Sequence, residues 1–187
     1  VKNLTLILLS FTLLQGCAAV VVGAGVTAAS AAHDRRTLGT QLDDSTLEAK
    51  VSSRINKIER LKEQAHINVE VFNGVALLTG QAPDSQARRQ AQLQAQAVTH
   101  IKKVHNQIRI GAPTAASTRT HDVWLASKIK TNLVTNERVD GLHIKVIVED
   151  SEVFLMGLVS RQEADVAVDI VRNINGVARV VKAFEYV

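Results

Sequence analysis

The chain has one cysteine, one tryptophan, one tyrosine and two prolines among its 187 residues. A single cysteine excludes a disulfide scaffold and a multi-cysteine metal site. Aromatic residues make up 3% of the chain, which leaves little surface for stacking bases or gripping sugars. Charge of one sign is scarce too. Lys and Arg number 22 against 18 Asp and Glu, a net of +4 with no basic stripe, so nucleic acid is not an expected partner. The histidines His33, His66, His100, His105, His121 and His143 show no metal-ligand spacing, and neither a metal nor another cofactor is expected. What is plentiful is aliphatic: 46% hydrophobic residues exclude a disordered chain, and the length suits two small domains better than one large one.

The opening residues read as an address. Lys2 is the sole charge before residue 33, and Leu4 to Leu14 is an apolar run of eleven residues. That is short of the roughly 20 needed to span a bilayer. A basic start, a short apolar middle and a small-residue site predict a bacterial export signal over residues 1–16, with Val1 read as an alternative start codon. The segment ends Leu14-Gln15-Gly16-Cys17, which resembles the lipobox of bacterial lipoproteins. The resemblance implies diacylglycerol on Cys17, cleavage before it, and acylation (palmitate) of the new amino terminus. It also implies sorting to the outer membrane, facing the periplasm, because Ala18 stands where retained lipoproteins carry Asp. Each buried CH₂ is worth about 0.8 kcal/mol, so two or three acyl chains would hold the protein on the membrane. The alternative is an uncleaved anchor, since residues 3–32 carry no charge. Residues 17–42, small and polar with Arg35 and Arg36, are expected to form a flexible tether.

The remainder is one plan written twice. Leu47, Val51 and Ile55 recur at helical spacing after Asp44, and Leu125, Ile129 and Leu133 do so after Asp122, with each aspartate expected as an N-cap. Strand-like runs follow at 67–71 and 144–148, then turns at Asn73-Gly74 and Asp150-Ser151. Return strands are expected over 75–79 and 152–156, closing on Gly80 and Gly157. A second helix comes next, capped by Asp84 in the first copy and by a Ser160-x-x-Glu163 capping box in the second. A third strand ends each copy, over 104–110 and 180–186. The copies are offset by 78, 77 and 76 residues along their length, the mark of a duplication. The fold expected is α+β: two tandem α-β-β-α-β domains, 43–111 and 119–187, joined by linker 112–118, each with helices on one face of a small three-stranded mixed sheet.

This unit resembles the BON domain. The resemblance rests on the Asp-led helix, the glycine closing Val75-Ala-Leu-Leu-Thr-Gly80 and Val153-Phe-Leu-Met-Gly157, and the ending Ile174-Asn-Gly176-Val177-x-x-Val180. Two such domains behind a lipobox resemble the outer-membrane lipoproteins of that family. The first copy departs from the pattern, with Thr99-His100-Ile101 where Asn175-Gly176-Val177 stands in the second, which puts the shape of its last turn in doubt. The resemblance implies binding rather than catalysis, specifically of anionic phospholipid through the second domain. Phosphatidylglycerol and cardiolipin are the expected lipids, and support of outer-membrane integrity is the expected role.

The residues can be asked separately whether such a face exists. At 100° per residue, Trp124 lies about 140° from Ile129 and so faces away from the core stripe. It shares its face with Thr120, Ser127, Lys128 and Thr131, and Arg119 and Lys130 add charge nearby. An outward Trp beside a Lys suits a membrane interface. The phospholipid-binding residues expected are therefore Arg119, Thr120, Trp124, Ser127, Lys128 and Thr131. Packing of Trp124 against the first domain or the linker remains the competing reading at this level. In the first copy Thr46 takes the matching position, and the basic runs Lys50/Arg54/Lys57 and Arg88-Arg89 read as solvated helix faces or as contacts for a protein partner. Glu149-Asp150-Glu152 reads as a solvated turn cluster, and His100 and His105 as surface residues. No nucleophile, base and orienting group come together, so no catalytic residues are expected. The rival function is an adaptor gripping the outer-membrane protein assembly machinery or the cell-division apparatus.

Overall fold

The computed structural model describes residues 35–187; the expected export signal, Cys17 and most of the expected tether lie outside the described residues. The first domain runs α1 (Leu38–Asn56), α2 (Glu59–Gln64), β1 (His66–Phe72), β2 (Val75–Ala82), α3 (Ser85–Gln96), β3 (Lys103–Asn106) and β4 (Arg109–Ile110). The second runs α4 (Ala116–Val134), a 3-10 turn (Gly141–His143), β5 (Ile144–Glu149), β6 (Glu152–Val159), α5 (Arg161–Arg172) and β7 (Arg179–Tyr186). In each domain an antiparallel hairpin places its second strand in the middle of the sheet, and the last strand returns parallel to it. The duplication is therefore structural, with three departures. The first copy adds the short helix α2, its last strand is broken at Gln107–Ile108, and β3 and β4 both pair with β2.

The long helices begin earlier than expected, at Leu38 and Ala116, so helix occupies the end of the stretch read as tether. Thr37, not Asp44, is the N-cap of α1, its hydroxyl accepting from the Thr40 N–H at 3.1 Å. Asp44 and Asp122 lie inside their helices, 3% and 5% exposed. Each carboxylate reaches across to the hairpin. The Asn73 and Gly74 N–H groups donate to Asp44 at 2.6 and 2.8 Å, and those of Asp150 and Ser151 donate to Asp122 at 2.7 and 2.9 Å. All four turn residues have positive φ: 50° and 78° at Asn73 and Gly74, 50° and 63° at Asp150 and Ser151. A two-residue hairpin of this kind points successive N–H groups to one side, a concavity that suits an anion. The aspartates are thus clamps on the turns.

Two expectations about glycine are refined. Gly80 and Gly157 lie within β2 and β6, which continue to Ala82 and Val159. A Cβ on Gly80 would stand 2.0 Å from the His66 carbonyl oxygen, and one on Gly157 2.5 Å from that of His143, so both positions need the missing side chain. The last turn of the first copy keeps the shape of its twin: His100 adopts φ 75° where Gly176 has 104°, and the Ile101 and Val177 N–H groups make equivalent bonds to Val98 and Ile174.

Each sheet is buried on both faces. On one side Val51, Ile55, Leu78 and the Ala87/Ala91/Ala95 stripe form the first core; Leu125, Ile129, Leu155 and Val171 belong to the second. On the other side Phe72, Val75 and Leu77 meet Phe154, Met156 and Ala183 in a shared apolar layer. The result is four layers, helices–sheet–sheet–helices, with the helices of the two domains on opposite outer faces. Polar bonds frame the layer. Glu149, 6% exposed, accepts from Asn68 at 2.9 Å and Gln81 at 2.7 Å. Arg109 pairs with Asp150 at 2.5 Å, and Asn73 donates to Glu185. The acidic turn is therefore not a solvated cluster: Glu149 and Asp150 contact the first domain, and Glu152 pairs with Arg179 of its own domain. His105, expected at the surface, is half-buried on β3, and burial, then the Lys103 charge, push its imidazole below the ordinary range. Lys145 of the second domain bridges Glu70 and Glu48 of the first. Burial and the Glu70 charge push the Glu48 carboxyl up, an effect Lys145 opposes.

The amino-terminal end of the described chain crosses the boundary as well. The Arg35 guanidinium bonds both Glu163 oxygens at 2.7 and 3.1 Å and the Leu158 carbonyl at 3.0 Å, while Arg36 pairs with Asp44 at 2.6 Å and lies 3.8 Å over the Phe72 ring. Arg35, followed by the bonds of the Ser160 capping box, holds the Glu163 carboxyl at about 2, down from 4.5.

Two outcomes follow from this packing. Asp122→Ala strands two hairpin N–H groups and should cost about 3 kcal/mol, read as a lower thermal midpoint, with Asp122→Asn intermediate; an unchanged midpoint would show that the carboxylate does not hold the turn. Arg35→Ala should destabilise at neutral pH. Because the folded carboxyl titrates below its unfolded value, the contribution is complete above about pH 4.5 and disappears as pH falls through about 2, so parent and variant should converge over that window. A stability gap independent of pH down to 2 would assign the Arg35 effect to packing instead.

Candidate functional site

Helix α4 forms the outer face of the second domain. Its inward row is Asp122, Leu125, Ile129 and Leu133, all buried. With Asp122 fixed on the hairpin turn, Trp124, two residues on and about 200° around the helix, must project outward. The indole is 56% exposed and touches neither the first domain nor the linker through any ring contact. Its neighbours are the His121 ring, 5.8 Å between centroids, and the Lys128 ammonium, 5.1 Å from its centre. Lys128 donates to the Asn175 carbonyl at 3.3 Å, so the cation is held beside the turn that Gly176 makes at the end of α5.

The remaining face residues behave differently from one another. Thr120, Ser127 and Thr131 share the Trp124 side, but each hydroxyl donates to the carbonyl one turn back, at 3.0 Å in all three cases. Their protons are used within the helix. With those protons committed, the three hydroxyls offer the outside only lone pairs, which suits contact with a hydrated surface more than donation to a specific anion. Arg119 is not brought to the site. It lies about 140° from Trp124, and its guanidinium donates to the Thr114 carbonyl of the linker at 3.1 Å. Lys130 is turned toward β5, donating to the Ile144 carbonyl at 3.2 Å.

One residue was missed. Val123, 69% exposed, stands next to Trp124 and widens the apolar tip. The same helical arithmetic that turned Trp124 outward places Val123 off the core stripe, so the signal was present. Beside this face an open cleft of about 590 Å³ runs between α4 and β5, lined by Ser127, Lys130, Thr131, Val134 and Lys145 among others. In the first domain the equivalent position, Thr46, carries no ring, and its hydroxyl donates to the Leu42 carbonyl. Among the described residues no group of three His, Cys, Asp or Glu side chains could hold a metal, and no helix is long and apolar enough to cross a membrane.

Comparison with known proteins extends this geometry. The BON domain family model matches residues 43–112 and again 121–187. The chain is 38% identical to outer membrane lipoprotein DolP of Haemophilus influenzae, over 99% of this chain and 96% of that protein. It is 40% identical to the 21 kDa hemolysin of Actinobacillus pleuropneumoniae, over 82% and 79% of the two chains. Osmotically-inducible protein Y of Escherichia coli is similar at 26% identity, over 96% and 92%.

Proposed function

The chain belongs to the BON-domain family, with two such domains in tandem, and on that premise we propose that it is an outer-membrane lipoprotein, acylated on Cys17 and facing the periplasm, which binds anionic phospholipid through α4. It acts by binding, without chemistry, and supports the integrity of the outer membrane. The observation that carries the reading is the exposed Trp124 with Lys128 beside its ring. At a bilayer surface an indole settles at headgroup depth, and an ammonium there meets lipid phosphate. Val123 adds apolar area at the point of entry. Acyl chains on Cys17 keep the protein at the membrane, so α4 needs only modest affinity of its own to choose among lipids.

Vesicle co-sedimentation tests the reading on the chain without its first 17 residues, where no acyl anchor contributes. The parent should bind vesicles containing phosphatidylglycerol or cardiolipin and not neutral ones. Trp124→Glu should abolish binding while the fold persists by circular dichroism, since the ring packs on no core. Lys128→Ala should weaken binding by about 1 kcal/mol, an effect that fades as salt rises. Thr46→Glu, the matching change in the first domain, should do little. Parent-like binding by Trp124→Glu would move the lipid site off α4.

A further inference from the structure

The duplication supplies an internal control for charge. Around α1, at the place where α4 carries its Trp124 face, the first domain has an open cleft between the helix and the turn after α3. Its volume is about 630 Å³; Lys50, Arg54 and Lys57 form one wall, His100 the rim, and Ala97 and Val98 the other side. A second hollow of about 280 Å³ adjoins it, sharing Thr46, Lys50 and His100 and adding Lys102. The corresponding residues of the second domain, by the offsets of the duplication, are Lys128, Asn132, Thr135, Gly176 and Ala178. One backbone plan therefore carries a cationic cleft in one copy and, at the matching positions of the other, a single cation tied to a backbone carbonyl.

The cations of this cleft are unspent. Among the described residues the side chains of Lys50, Arg54 and Lys57 make no hydrogen bond or ion pair, whereas Lys128 and Lys130 are tied to backbone carbonyls and Lys145 to two glutamates. Two carboxylates line the adjoining hollow: that of Asp44 is consumed by the hairpin turn and Arg36, and the exposed Asp43 stands about two helical turns before Lys50, at the end away from Arg54 and Lys57. We propose that this cleft binds an acidic segment of a partner protein in extended conformation.

Three features favour that occupant. Lys50, Arg54 and Lys57, at i, i+4 and i+7, form a row of about 10 Å along the helix, and alternate side chains of an extended peptide repeat every 7 Å or so, within reach of flexible lysine stems. The cations stand in line and do not converge on a point, as they would around a single phosphate. No Phe, Tyr or Trp side chain lines the cleft, and the one ring there is the His100 imidazole at its rim, so the site has no platform for stacking successive bases or a sugar. Orientation agrees: the helices of the two domains lie on opposite outer faces, so with α4 on lipid the α1 cleft opens toward the periplasm. That last point alone rests on the lipid reading of α4.

The test uses the full acylated chain in neutral detergent, with a fluorescein-labelled decaglutamate peptide as probe and anisotropy as readout. Four proteins are compared: the parent, the cleft variant Lys50→Ser/Arg54→Ser/Lys57→Ser, a charge-matched control, Lys62→Ser/Arg88→Ser/Arg89→Ser, and Trp124→Glu. The parent should bind the peptide in a salt-dependent manner. The cleft variant should lose about tenfold or more in affinity and the control about twofold or less. Inorganic phosphate at matched ionic strength should not compete, and vesicle binding by the cleft variant, measured without detergent on the chain lacking its first 17 residues, should match the parent. Trp124→Glu should bind the peptide normally, so failure of the lipid reading and failure of this one are separable. Absence of peptide binding, equal losses in both triple variants, competition by phosphate, or loss of vesicle binding in the cleft variant would each overturn the proposal.

Discussion

The structure hangs on a carboxylate buried in the middle of a helix. Asp44 and Asp122 each satisfy two hairpin N–H groups that point inward with positive φ on both turn residues. In the second domain neither Asp150 nor Ser151 is a glycine, so the turn is held against a conformational preference of about 1 kcal/mol or more per residue. The clamp fixes more than the turn. It sets the rotation of the helix about its own axis, and in α4 that rotation decides which side chains meet solvent. Trp124 is outside because Asp122 is inside.

The second constraint is the apolar layer between the sheets. Phe154, Met156 and Leu77 are almost wholly buried there, and each such side chain contributes on the order of 2 kcal/mol relative to exposure. Burial of both sheet faces forces the helices to opposite outer surfaces, so the two copies cannot present the same face to the same partner. A duplicated domain is then free to diverge in what each helix carries. The ring of Trp124 on one side and the unpaired cations of α1 on the other fit that division.

Much of this was legible in the sequence. The two-copy plan, the hairpins, the Ala87/Ala91/Ala95 stripe, the Asp84 cap and the Ser160/Glu163 capping box appear in the structure where periodicity and cap chemistry put them. The aspartate clamps were misread because an Asp just ahead of an apolar stripe gives the same local pattern whether it caps a helix or faces a turn across the fold; the difference lies in residues about 30 positions away. The docking of the sheets leaves a trace in the sequence. Val75-Ala-Leu-Leu and Val153-Phe-Leu-Met are continuous apolar runs, the pattern of a strand buried on both faces. Glu149 reads as solvated because it flanks a hairpin turn, and His105 as a surface residue because it shares no helical face with His100; burial of both comes from tertiary packing that local spacing does not encode. At the site, helical arithmetic found Trp124 and Lys128 but could not foresee that Arg119 would turn to the linker or that three hydroxyls would bond their own helix.

Trp124 is the only tryptophan of the chain, so its emission reports on the proposed lipid site with no labelling. Titration with phosphatidylglycerol vesicles should shift the emission to the blue, and lipids brominated just below the headgroup should quench it, while neutral vesicles leave it unchanged. Emission that stays characteristic of a water-exposed indole while the protein is bound to anionic vesicles would contradict the account, because lipid would then be held somewhere other than α4.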